Sequence, residues 1–445
     1  MEEKQAFRKN WIDAAKGIAI LIVVLNHSGL HIPGVNFWGG IFYVPIFFLL
    51  SGYTYHPTEE SFKSFAKKKA HRLLTPYFVT NLILFIIFFV KNLISGSDGD
   101  DLYGISNSNL FGGIFYICIL ILLLGYTYYP TQESLAKKKA RWFLHAFFIM
   151  LLILFAVFFV INPTLDNIFS IFWMFCIYFS VFFTYRSGFG ILYGRSYLFK
   201  AVYHGVIEVE EPLMNHLNSP TWFLPALFLV LVCADGIYRK TKGRPKKICL
   251  ILGLWLLLML PQYYLGFFLF PWSVDLLPIL LIFFFIGYSL SKKKLLEKSE
   301  DSTGAKKWGT IAGCLIIALL SALINGSYNL SINDMGRSVV LCIISAMSVS
   351  CLLLLFLRWL EKKLPVIVKT LGRLGRHTLT ILCWHYFVMQ MFFTAVSAVL
   401  GSEWKDKGVL NDLMCLAGIV ISITACLCLD LIMEKLRVNY RKKVV

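Results

Sequence analysis

Charge is scarce in this chain. Asp, Glu, Lys and Arg together make up 15% of its 445 residues, and acids are the rarer sign, 25 against 43 Lys and Arg. A soluble globular chain carries about a quarter charged residues, so a water-facing surface around one core is excluded. Thiol pairs are missing as well. The eleven cysteines lie within or at the ends of apolar segments and none forms a CxxC pair. That excludes a disulfide or zinc framework and leaves them as small buried side chains. There is no dinucleotide fingerprint, because no strand precedes "GFGILYG" at 188–194. No long polar or low-complexity stretch marks out a soluble domain.

What the chain has instead is grease. It is 58% hydrophobic and 16% aromatic, with a mean hydropathy of +0.69. The reading is an all-α, polytopic integral membrane helix bundle of about 12–14 transmembrane helices, a single domain over 1–445. The net charge of +18 does not imply nucleic acid. It sits in short clusters between apolar runs ("FAKKKAHR", "LAKKKAR", "YRKTKGRPKK", "SKKKLLEK", "LEKK", "NYRKK"), whereas "SGSDGDDLYG" and "INGSYNLSIND" are acidic or neutral. That is the positive-inside pattern, and it predicts cytoplasmic basic loops and cytoplasmic termini. The first apolar run follows Lys and Arg as a signal peptide does. It has no A-x-A-like site and runs on into a second span, so it reads as the first transmembrane helix.

Spans are expected near 14–30, 37–55, 73–92, 110–129, 142–161, 168–185, 221–238, 248–267, 275–291, 308–324, 337–357, 379–400 and 412–432. Charge and crossing number agree everywhere except between 162 and 220. Between the basic clusters "KKKAR" and "YRKTKGRPKK" an even number of crossings is needed and three are counted, so either 189–207 also crosses or one segment is re-entrant. A local repeat stands out. "FWGGIFYVPIFFLLSGYTYHPTEES" at 37–61 returns as "LFGGIFYICILILLLGYTYYPTQES" at 110–134, and "AKKKAHR" returns as "AKKKAR". The duplicated hairpin, about 110–161 against 37–90, adds two crossings and leaves the topology downstream unchanged. The second copy has Cys118 for Pro45 and Leu124 for Ser51 and lacks Pro76. Drift from polar or bending residues to plain hydrophobes assigns the chemistry to the first copy.

An ionisable residue inside a span is a functional hypothesis by default. His27 ends the apolar run "KGIAILIVVLNH" that Lys16 opens. Eleven helical steps are about three turns plus 20°, so the two share a face, roughly 16 Å apart along the axis. Imidazole titrates near neutrality and suits a general base; its bland alternative is a neutral ring bonded to a neighbouring helix. Lys16 reads equally as a snorkelling boundary cation, with Asp13 three residues before it as an ion-pair partner. Lys68 and Lys69 with Arg72 head the third span, either as a topological flank or as a grip for an anionic donor. "VPIFFLLSGY" joins Pro45 to the small pair Ser51 and Gly52, which serve either the donor site or close helix packing. Trp222 opens a span where an interfacial aromatic is expected. His385 lies inside the twelfth span as a substrate-binding or structural residue, and His377, at its start, reads as interfacial.

Taken in order, "WIDAAKGIAILIVVLNHS", "VPIFFLLSGYTY", "KKKAHRLLTPYF", "PTWFLPALF", "LLPILLIFFFIGY" and "LGRLGRHTLTILCWHYF" resemble the acyltransferase family 3 membrane proteins, most of all the fucose 4-O-acetylase-like branch. The resemblance implies transfer of an acetyl or other short acyl group from acetyl-CoA (acyl-CoA) to a hydroxyl of a cell-envelope glycan or lipid-linked sugar, in a bacterial plasma membrane and without a metal. It maps the family's catalytic histidine onto His27, its basic partner onto Lys16, where arginine is commoner, and its third-helix basic residue onto Arg72. His385 matches a further family histidine. The chain departs from the pattern at Asn26, where glycine is frequent, and at His377, where Ser or Asn is usual. The candidate set is therefore His27, Lys16 and Asp13 for catalysis, Arg72, Lys69, Lys68 and Ser51 for the donor, and Trp222 and His385 for substrate or structure. A transporter or flippase of an envelope precursor is the rival reading; it predicts broken helices in two corresponding halves, while the repeat here is local and direct. An inactive scaffold is the third.

Overall fold

A computed structural model describes residues 9–95, 218–265, 271–301 and 304–444. These fall into two compact units, one holding 9–69 and 218–444 and the other 70–95. The predicted spans 110–129, 142–161 and 168–185, and with them the second copy of the repeat, lie outside the described residues.

The first unit is all helix apart from short turns. In chain order it contains α1 (Asn10–Ser28), α2 (Val35–Phe42), α3 (Pro45–Tyr53), the first turns of α4 (Phe62–Ser95), α5 (Phe223–Thr241), α6 (Pro245–Leu265), α7 (Leu277–Lys292), α8 (Leu295–Asp301), α9 (Ala305–Asn325), α10 (Val339–Lys363), α11 (Pro365–Arg376), α12 (Thr378–Leu400) and α13 (Gly408–Val444). The second unit is the remainder of α4, from Ala70 onward. Among the described residues, seven helices, α1, α5, α6, α7, α10, α12 and α13, all of the first unit, are long and apolar enough to cross a membrane. The all-α polytopic bundle expected from composition is what the chain forms.

The expected spans 73–92 in α4 and 308–324 in α9 are not among these seven, the apolar part of α9 being the shorter Ile311–Asn325, and a third expected span differs in detail. The run at 37–55 is two helices, α2 and α3, bent by 41° at Tyr43 and Val44. Pro45 occupies the first turn of α3, where its missing N–H leaves no hydrogen bond unmade and its fixed φ favours a new helix.

Burial separates centre from rim. Two thirds of the apolar windows of α1 and α7 are buried (67% each), against 22% for α6 and α13. The rim helices present Leu254, Leu257, Leu258, Val420 and Leu431 outward, the signature of helices meant for hydrocarbon rather than water. Glycine permits two close crossings. A Cβ on Gly17 would lie 2.2 Å from the Leu371 carbonyl oxygen, and one on Gly375 would lie 1.7 Å from that of Asp13. Gly52 and Gly287 perform the same service between α3 and α7, at 1.8 Å from Phe284 O and 1.9 Å from Leu49 O. Small residues let membrane helices approach backbone to backbone where larger ones cannot.

Candidate active site

The site forms where α12 comes against α1. The "LGRLGR" run packs α11 onto the first half of α1 through Gly375 and Gly17, and α12 follows one residue later from His377. His385, in the third turn of α12, is thereby brought to His27 near the end of α1. Their ring centroids are 5.4 Å apart with the planes at 77°. Tyr386 adds a third ring, 5.6 Å from His27.

Backbone carbonyls decide what the two imidazoles can do. Nδ1 of His27 is 2.7 Å from Val23 O, and Nδ1 of His385 is 2.7 Å from Ile381 O. A carbonyl only accepts, so each Nδ1 carries the proton and donates it. The neutral ring then keeps its lone pair on Nε2. His385 is fully buried, and its Nε2 has no hydrogen-bond partner among the described residues. Two proton-accepting nitrogens thus share one locus, a half-buried one on His27 and a fully buried one on His385.

The other predicted residues distribute as follows. Asp13 is buried on α1 and its Oδ1 lies 3.7 Å from Lys16 Nζ, the ion pair that their spacing predicts. The α11 crossing fixes the Asp13 backbone, so the same contact that delivers His385 holds this pair. Ser51 donates to Phe47 O at 2.7 Å, the familiar back-bond of a helical serine. Its neighbour Gly52 is the packing residue. Lys68 pairs with Glu60 at 2.6 Å, and Lys69 lies over the Phe65 ring at 5.0 Å, both in the first turns of α4. Lys68 also holds the Glu60 carboxyl below its ordinary range by hydrogen bonding to it. Arg72 belongs to the second unit. Trp222 closes the turn Ser219–Trp222 ahead of α5. Just before that turn, Asn218 donates through Nδ2 to Cys383 O at 2.7 Å, which ties it to the helix bearing His385.

The structure therefore joins His27 to His385 and Asp13 to Lys16, and brings the Trp222 turn to α12. Tyr386 and Asn218 are the residues that sequence reasoning passed over. Tyr386 follows His385 directly in "CWHYF", which was the available signal. Asn218 had none beyond its place before "SPTW".

Two imidazoles packed edge to face within a helix bundle, each with its Nε2 left as an acceptor, could take a proton from a hydroxyl nucleophile, and one comparison with known proteins gives the class. The acyltransferase family 3 profile, described as an acyltransferase domain, matches residues 9–204 and 171–431. The chain belongs to this family and is a membrane acyltransferase. No curated protein and no solved structure matches it.

Proposed function

We propose that the enzyme moves an acetyl or other short acyl group from acyl-CoA to a hydroxyl of a cell-envelope glycan or lipid-linked sugar. The reading that carries this is the histidine pair, and above all His27, whose Nδ1 is committed to Val23 O so that Nε2 is left to accept a proton. The acceptor's hydroxyl oxygen attacks the thioester carbonyl carbon while its proton passes to His27 Nε2. The tetrahedral adduct then breaks its C–S bond. The departing thiolate takes the proton back from the imidazolium, leaving ester, free CoA and neutral His27. Lys16, oriented by Asp13, faces the donor. Lys68, Lys69 and Arg72 are the cations proposed for its phosphates, and Ser51 is proposed for the donor as well. His385 offers its buried acceptor nitrogen to a second hydroxyl of the acceptor, and Trp222 flanks that side.

In this reading the basic end faces the cytoplasm of a bacterial cell, with both termini there and the bundle in the plasma membrane, an orientation that the positive-inside distribution of charge favours. A donor from the basic side and an acceptor from the other would meet at a base set about half a membrane away from Lys16.

The test uses membranes containing the full chain and acetyl-CoA labelled in the acetyl group. Alkali-labile label should enter glycan or lipid-linked sugar in proportion to enzyme. If envelope precursor crosses the membrane while the donor is left unconsumed, the transporter reading replaces this one.

A further inference from the structure

A cavity lies apart from the histidine site. A cleft of about 520 Å³ opens between α11 and α13, lined by Arg373, Arg376, Thr370, His377, Leu427 and Leu431 among others. Thr370 and Arg373 lie, at 100° per residue, on the side of α11 turned away from Gly372 and Gly375, which face α1. The cleft therefore looks outward, away from His27.

Its charge is unbalanced. Arg373 and Arg376 are exposed and have no ion-pair partner among the described residues. The nearby acid on α13, Asp430, is already engaged: it takes a very short contact from His377 Nδ1 and a 2.7 Å hydrogen bond from the Thr380 hydroxyl. Beside the two guanidinium groups the wall is leucine. The surrounding exposed surface is apolar too, with Leu364, Val366, Ile367 and Leu431 at 50%, 74%, 46% and 55% exposure. Two unpaired guanidinium groups next to exposed aliphatic side chains suit neither water alone nor hydrocarbon alone. They suit the boundary between them.

We infer that this cleft binds the headgroup of an anionic phospholipid. The guanidinium forks of Arg373 and Arg376 take the phosphate oxygens, and an acyl chain lies along Leu427 and Leu431. Planar guanidinium groups match phosphate in a way a single ammonium does not, and basic pockets between membrane helices at a cation-rich end are where anionic lipids seat. Lys362 and Lys363, closing α10 immediately before α11, put the cleft at such an end. The bound lipid bridges α11 to α13 and so braces the junction at His377, beyond which α12 carries His385. The inference stands on this cleft alone and does not depend on the donor or acceptor proposed above.

The experiment takes the purified full-length chain in mixed micelles of phosphatidylglycerol and phosphatidylcholine and reads the retained lipid by native mass spectrometry. Wild type should retain phosphatidylglycerol in preference, less so at high salt. The R373Q/R376Q double variant should lose roughly thirtyfold of that preference, the order expected on removing two cations worth about 1 kcal/mol each against an anionic surface. Equal retention by variant and wild type overturns the inference. So does the outcome in which free CoA displaces the lipid and the variant raises KM for acyl-CoA, which gives the cleft to the donor. A second measurement needs no variant. Photoactivatable phosphatidylglycerol should label wild-type peptides covering 365–377 and 427–431, and labelling confined to other helices refutes the assignment.

Discussion

A histidine next to a carbonyl is a base with only one free end. Val23 O and Ile381 O each hold an Nδ1–H, so neither ring has to choose a tautomer when substrate arrives. The two rings are not equivalent. His385 is walled in with an unmatched acceptor, and such an atom costs about 1–3 kcal/mol while it stays unsatisfied. Replacing it by a ring of similar shape without the acceptor should relieve that cost. His385→Phe is therefore expected to melt at the same temperature as wild type or higher, while acyl transfer falls by about tenfold to a hundredfold. A drop in melting temperature with transfer intact would make His385 a structural residue and nothing more. The sequence made His27 and Lys16 visible because one helix fixes their relation. That His385 would meet His27 was not visible, since their contact depends on how α11 and α12 dock on α1, and no periodicity within either segment encodes it.

Between elements, the decisive positions are those with no side chain. Gly375 meets the Asp13 carbonyl so closely that an added methyl would overlap it. Gly375→Ala is expected to destabilise the fold by about 1–3 kcal/mol and to cost transfer as well, because α11 carries α12. Gly253→Ala on the rim helix α6, where a Cβ would meet nothing within 4 Å, should instead be neutral or stabilising by about 0.5–1 kcal/mol. Paired thermal melts in detergent separate the two, and equal shifts would contradict the packing account. The "LGRLGR" glycines were legible as part of a motif, but their contact with Asp13 and Gly17 was not. The break in the 37–55 span was half legible. Pro45 announced a bend, yet the same residue also suits a helix start, and only the neighbours of Tyr43 and Val44 settle which it is.

At the scale of the whole molecule, one acid gathers four elements. Glu297 on α8 accepts from Tyr53 of α3 at 2.8 Å, pairs with Lys9 ahead of α1 at 3.2 Å, and pairs with Arg358 of α10 at 3.2 Å. Trp11 packs beneath, edge-on to Tyr53 and under the Arg358 guanidinium. Burial by itself would raise the Glu297 carboxyl, but hydrogen bonds from Tyr53, its own backbone and Lys9 outweigh that and hold it down to about 2. A lowered carboxylate contributes stability that is complete above its ordinary range near 4 and is lost as pH falls through about 2. Wild type should thus lose stability across that window, and Glu297→Gln should be less stable at neutral pH and flatter below pH 4. Parallel acid melts of the two would refute the role. The repeat makes a separate prediction. The duplicated hairpin adds an even number of crossings, so deleting 110–161 should leave the chain inserted and transfer within a few-fold of wild type. Complete loss would show that the second copy carries chemistry. Charge clusters give a self-consistent order of crossings from 1 to 161 and from 221 onward, of which 96–161 lies outside the described residues. Between them the sequence lacks the basic punctuation that orients a loop.

The central claim is that His27 Nε2 accepts the proton of the attacking hydroxyl. Its most direct test is the rate of label transfer from acyl-CoA by His27→Ala protein, measured with and without added imidazole. The account predicts a fall of about 10²–10⁴, partly restored when free imidazole occupies the vacated space. A His27→Ala enzyme that transfers label at the wild-type rate would contradict it.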